Sequence, residues 1–260
     1  MSSLLWKIES GRTQPSYVFG SIHISHQQLE SFQESLFRYI PLVDCFAAEV
    51  DLDPGVSQRV HSYLLLPEDE PLDKIIDAHH WNKLKLSARK YFDIDLNEFK
   101  QFFPIVLIMQ LSTTCLSNSD KAFLDLALWN YAHQQNIKTS GLESIDEHYG
   151  MISKIGLEYQ IKAMKDMLLN ASGFKRKLAV QLEYYIKQDL AGIHRLIRKQ
   201  SGGFRHLLIH YRNQNMVTAL INLMNDNSVF CSVGVGHLYG KYGMLNLLKQ
   251  KGFHIKQIGI

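Results

Sequence analysis

The stretches YVFGSIHISH, residues 17–26, and SVFCSVGVGHLYG, residues 228–240, together decide the fold. Each is an apolar run that breaks at a glycine and delivers a histidine three residues on, Gly20 to His23 and Gly234 to His237. Short runs of β-branched and aromatic residues closed by glycine read as buried strands. A glycine at the carboxyl end of a strand lets the chain turn sharply or lets another group come close, and in open α/β sheets that edge is where ligands bind. A single histidine beyond such a glycine is usually structural. Two of them, each after a strand and at opposite ends of the chain, suggest a shared crevice.

Working outward, LLWKIES (4–10), CFAAEVDL (45–52), IKTSGLES (137–144) and FHIKQIGI (253–260) supply four further strand patterns. LESFQESLFRYI (29–40) has helical spacing, and from Asp53 to about Asn136 the pattern is helical, punctuated by Pro54, Pro67, Pro71 and Pro104. A second helical stretch carries one apolar stripe over Leu157, Ile161, Met164 and Leu168 and another over Leu178, Leu182, Tyr185, Ile186, Ile193 and Ile197, with the break expected at Ser172-Gly173. MVTALINLM (216–224) and GMLNLLKQKG (243–252) complete the helices. The expected fold is therefore α/β, a mixed central sheet with a large helical insertion at about residues 53–136. The strand, glycine, histidine, helix order at both ends suggests two pseudo-repeated halves. No low-complexity linker separates them, so a single domain over residues 1–260 is expected.

A chain of 260 residues can bury a sizeable core without metal or disulfide staples. Its net charge of +3 is interspersed, with no basic or acidic block of the kind that binds nucleic acid or anionic lipid. Cys45, Cys115 and Cys231 are odd in number, and two of them lie inside apolar runs, where cysteine acts as a small hydrophobe. MSSLLWKIES has no basic segment ahead of its brief apolar run, so it does not read as a signal peptide. No apolar stretch is long enough to span a membrane. A soluble protein of a reducing compartment is expected, cytoplasmic unless a leader has been trimmed.

Among the polar residues, Glu49 stands in an apolar strand where burial of a carboxylate is costly unless it is paired or binds a metal. It reads either as the partner of an arginine such as Arg212, in the otherwise apolar and amide-rich LLIHYRNQNMV, or as a ligand. Two imidazoles and a carboxylate, His23, His237 and Glu49, would form a divalent-metal site with open positions. Glu143 ends a strand in SGLES and reads either as a first-turn acid of the helix that follows or as a catalytic or ligating carboxylate. His79 and His80 read as helix surface, and His26 as either a support for His23 or a solvated side chain. The glycines of GVGHLYGKYG miss dinucleotide spacing, and there is no P-loop, Gly-x-Ser-x-Gly, His-Glu-x-x-His or zinc-spaced cysteine pair.

Taken together, LLWKIESGRTQPSYVFGSIHISH, FAAEVDL, SGLESIDEH, YRNQNMVTAL and SVGVGHLYGKYGMLNLLKQKGFHIKQI resemble the TraB/GumN family, which includes the PrgY pheromone-shutdown proteins and the Tiki metalloproteases. The resemblance implies a fold similar to the erythromycin esterase and ChaN-like group, with a metal or hydrolytic centre between two halves. By position, His23 and His237 match the two motif histidines, and Gly20 and Gly234 the motif glycines. Glu49 matches the first-strand glutamate, Glu143 the glutamate of the GLE element, and Arg212 the arginine of the RNxxM segment. His148 stands where many relatives show glutamine. Many relatives also carry an export signal that this chain does not show.

The expected activity is that of a metal-dependent hydrolase, a peptidase by preference. His23, Glu49 and His237 would hold manganese, cobalt, iron or zinc, Glu143 would act as general base or further ligand, and Arg212 would orient a carboxylate or stabilise an oxyanion. The rival expectation is a protein that binds a peptide or haem without turnover; a third is an ester or amide hydrolase of small molecules. The expected partner is a peptide or small-molecule substrate, with no nucleic acid and no transmembrane segment.

Overall fold

A computed structural model describes residues 3–9, 14–53, 55, 57–200 and 206–260. Pro54 and the centre of the ESGRTQ segment lie outside the described residues. The chain forms two compact units, one made of Met1–Asp53, Ser117–His148 and Gln181–Ile260, the other of Pro54–Leu116 and Tyr149–Val180.

The first unit is built on a six-stranded mixed sheet. Its strands are β1 (Leu5–Glu9), β2 (Ser16–Ser21), β3 (Cys45–Ala48), β4 (Lys138–Gly141), β5 (Val229–Gly234) and β6 (His254–Ile258), in the order β4-β3-β5-β2-β1-β6. β4, β3, β5 and β2 run parallel, whereas β1 pairs antiparallel with both β2 and β6. The six strands fall on the six runs that carry the strand pattern. β2, β3 and β5 are largely apolar because they are interior strands of the sheet and buried on both faces. β6, at the edge, alternates toward exposure. Phe46 stacks on Phe230 across paired strands with ring centroids 5.6 Å apart, and Trp129 meets Phe46 edge-on. Cys45 and Cys231 are buried free thiols in this core.

Helices α1 (Glu30–Phe37), α6 (Leu124–Gln134), α7 (Ile145–Tyr149), α10 (Leu190–Gln200), α11 (Arg212–Met224) and α12 (Met244–Gln250) lie in or begin in the sheet unit. The second unit is helical, with α2 (Ser57–Tyr63), α3 (Leu72–Ile75), α4 (Ala78–Phe92), α5 (Pro104–Leu116) and α8 (Leu157–Leu169); α9 (Ala171–Ile186) begins in it. Pro104 starts α5 at a position where its missing N–H costs nothing. Asp77 caps α4 by accepting from the His80 N–H at 3.0 Å. The core here is apolar, with Trp81, Leu84, Leu107, Leu111, Met164 and Leu168 among its members.

The break expected at Ser172-Gly173 falls instead at Asn170, between α8 and α9. The Asn170 side chain accepts from the Gly173 N–H at 3.1 Å, and a β-carbon at Gly173 would meet that amide at 2.6 Å. The glycine therefore serves the capping contact and does not end a helix. Among the described residues no helix is long and apolar enough to cross a membrane.

Candidate metal and catalytic site

The four parallel strands end on one edge, and each delivers a polar residue just beyond its last paired position. Ser21 pairs with Gly234, Ala48 pairs with both Ser232 and Gly141, and past these lie His23, Glu49, Glu143 and His237. Register alone thus brings residues from four distant parts of the chain to one carboxyl edge.

Glu49 is buried just past β3, and its backbone carbonyl accepts from the Glu143 N–H at 2.8 Å, holding the ends of β3 and β4 side by side. Glu49 Oε1 accepts from the Gly234 N–H at 2.6 Å. A β-carbon at Gly234 would lie 2.9 Å from that same oxygen, so the motif glycine is needed for the close approach of the carboxylate. At Gly20 a β-carbon would meet the Leu238 side chain at 2.6 Å. Gly20 thus makes room for a side chain beside the second motif, and Gly234 for the carboxylate at the end of β3.

Arg212 sits at the start of α11, immediately after a π-helical turn, His206–Tyr211, a local widening of the helix often found at functional sites. Its guanidinium enters the buried cluster. Nε donates to Glu143 Oε1 and Oε2 at 3.1 and 3.0 Å, and Nη2 donates to Glu49 Oε2 at 2.6 Å and Glu143 Oε2 at 2.5 Å. Nη2 also lies 2.9 Å from His148 Nδ1, and Nη1 lies 3.4 Å from His237 Nε2. Glu49, Glu143 and His148 offer donor atoms that all lie within 4.8 Å of one another.

His237 is fixed by its neighbour on α11. Asn213 Nδ2 donates to the carbonyls of His237 and Tyr242 at 3.0 and 2.6 Å, which turns its Oδ1 toward His237 Nδ1 at 2.6 Å. Nδ1 therefore carries the proton, and the Nε2 lone pair accepts from Arg212 Nη1 at 3.4 Å, with Glu49 Oε1 3.8 Å away. Burial lowers the His237 pKa to about 4, so the ring is neutral at pH 7. Burial also opposes ionisation of Glu49, yet its carboxyl is held well below the usual range; with His237 neutral, the fixed charge of Arg212 is the cause. Glu143 is lowered against its own burial by hydrogen bonds from His148 and Arg212.

His23 follows β2 onto the same edge and places its Nδ1 2.8 Å from Asp125 Oδ2. The Asp125 charge raises the His23 pKa to about 9, while Asp125 itself is lowered. The geometry thus joins Glu49, Glu143, Arg212, His148 and His237 in one cluster and ties His23 Nδ1 to a carboxylate on α6.

The family model for TraB/PrgY/gumN proteins matches residues 4–257. The chain belongs to this family. It is 22% identical to the metalloprotease TIKI2 of Danio rerio over 98% of its own length and 61% of that protein, and 21% identical to the metalloprotease TIKI1 of Homo sapiens over 98% and 62%. It therefore spans about three fifths of these family members. No solved structure matches it.

Three residues at this edge escape a reading of the sequence. Asp125 looks like an ordinary first-turn acid of α6, Asn213 is one amide among several in YRNQN, and His148 shows only as a departure from relatives. The amides inside an otherwise apolar helix were the available signal for Asn213.

Proposed function

We propose that this member of the family is a divalent-metal-dependent hydrolase acting on peptide bonds. The observation that supports this most is a buried pair of carboxylates held by one arginine and flanked by two imidazoles, gathered at the carboxyl edge of a parallel sheet. The residues present fit a divalent ion: the donors are of the right type, they lie within 4.8 Å of one another, and the point between them already accommodates a cationic nitrogen of Arg212.

Glu49, Glu143 and His148 would hold the ion. When bound, it would lower the pKa of a coordinated water and polarise the scissile carbonyl. His237, neutral at pH 7 and held by Asn213 with its proton on Nδ1, would serve as proton acceptor through Nε2. His23, protonated at neutral pH and anchored through Nδ1 on Asp125, would supply a proton to the leaving amine instead of serving as a ligand. Arg212 would orient a substrate carboxylate or the developing oxyanion. The metalloprotease names of the relatives agree with this reading.

Incubating the purified chain with Mn²⁺ or Co²⁺ and an unstructured peptide library, with products read by mass spectrometry, tests it. Cleavage should stop with chelator, and Glu49→Gln should lower kcat/KM by about a thousandfold or more. Tight retention of peptide or haem with no cleavage under any of these metals would favour the non-catalytic binding protein.

A further inference from the structure

One atom, Arg212 Nη2, lies at hydrogen-bond distance from all three candidate metal donors: 2.6 Å from Glu49 Oε2, 2.5 Å from Glu143 Oε2 and 2.9 Å from His148 Nδ1. A divalent ion bound by those donors would sit at about 2.0–2.3 Å from each, in the same small volume. We propose that Arg212 is a resident counter-cation that competes with the metal, so that ion binding requires the guanidinium to leave both glutamates. The inference rests on the proposed metal-dependent function and adds a step to it.

The reason is electrostatic and steric at once. Two ionised carboxylates in a buried pocket are balanced in part by one guanidinium, whose fork of donors satisfies oxygens that would otherwise be unpaired. A second, doubly charged cation among the same oxygens would meet strong repulsion from the first at low local dielectric. Overlap of the two positions makes exclusion complete. The affinity seen for a metal is then the intrinsic affinity reduced by the cost of moving Arg212, and the displaced guanidinium becomes available to a substrate anion. The same competition disfavours weakly charged ions, which gain too little from the carboxylates to displace an arginine.

The sign of this effect is unusual and therefore testable. Removing a polar residue that contacts the donors should tighten metal binding. Calorimetric titration of chelator-treated full-length protein with Zn²⁺, counting only the binding lost in Glu49→Gln, should give an affinity at least about tenfold higher for Arg212→Gln than for the wild type. Arg212→Lys, which keeps the charge, should stay close to the wild type. Equal or weaker binding by Arg212→Gln overturns the proposal and leaves the metal-dependent reading standing, whereas absence of Glu49-dependent Zn²⁺ binding in every variant overturns both. A wild-type measurement covers the case in which Arg212→Gln does not fold. In nitrogen-15 spectra the Arg212 Nη protons should be protected from solvent in the metal-free protein and lose that protection on Zn²⁺ saturation; protection that persists with the ion bound refutes the competition.

Discussion

The helical unit and the sheet unit treat buried polar atoms differently. Among the described residues, the one fully buried polar side chain of the helical unit is Gln160, and all its contacts serve the backbone: its Nε2 donates to the carbonyls of Ile152 and Ile155, and its Oε1 accepts from the Ile105 N–H. It satisfies loop and helix-end groups that would otherwise be orphaned. In the sheet unit Glu49, Glu143 and His237 are buried together with Arg212, and their contacts are mainly to one another. Such a cluster is poor evidence of stability, since an apolar replacement often does as well. The helical unit uses buried polarity to complete a fold; the sheet unit does so as well, as where Ser16 Oγ accepts from the Val229 N–H, and adds a charged cluster where chemistry would happen.

The largest expected effect that would break this comparison is in the helical core. Trp81→Ala should lower unfolding free energy by about 3–5 kcal/mol, measured by urea denaturation, while the folded protein keeps wild-type affinity for Zn²⁺. Loss of ion binding in the folded fraction would show that the units do not divide their roles. The acid limb should be somewhat smaller. His237 takes up its proton only near pH 4 when folded but near 6.5 when unfolded, so the unfolded chain binds more protons between those values and stability must fall as pH falls through them. In metal-free protein this should amount to about 2–3 kcal/mol between pH 6.5 and 4, and His237→Gln should flatten it. Below that window the lowered carboxyls of Glu49 and Glu143 continue the loss.

The smallest effect lies on the alkaline side. His23 is raised by Asp125, so its pairing stabilises the fold fully below pH 6.5 and fades as pH rises through about 9. Because the His23 ring is largely exposed, the loss should be under about 1 kcal/mol, and Asp125→Asn should remove it from a plot of melting temperature against pH. A steep alkaline limb that survives Asp125→Asn would have another origin.

Much of this molecule was legible because burial leaves a mark on composition. The six strands appear as short apolar runs, and Glu49 stands out because a carboxylate inside such a run needs a cationic partner, a metal or another role. What could not be read was the identity of partners across long separations. Arg212 was visible as a possible partner for Glu49, but nothing local says that the same guanidinium also binds Glu143, which lies in a different segment. His148 lies on a five-residue helix, too short for periodicity to say what its face meets. Asp125 is ordinary in its own helix and gains meaning only from His23, whose Nδ1 it holds. The shift of the helix break to Asn170 has the same source, because a side-chain cap and a mid-helix glycine look alike until the contact is known.

The position of β5 also bears on how the chain is made. It is nearly the last strand synthesised, yet it lies between β3 and β2, two of the first. Until residues 229–234 leave the ribosome, the early strands lack the neighbour that joins them, and Glu49 lacks Gly234. Glu49, Glu143 and His148 all precede β5 in the chain, and β3 pairs directly with β4, so a nascent chain carries the three candidate ion donors before it has the strand that closes the sheet and ties Glu49 to Gly234.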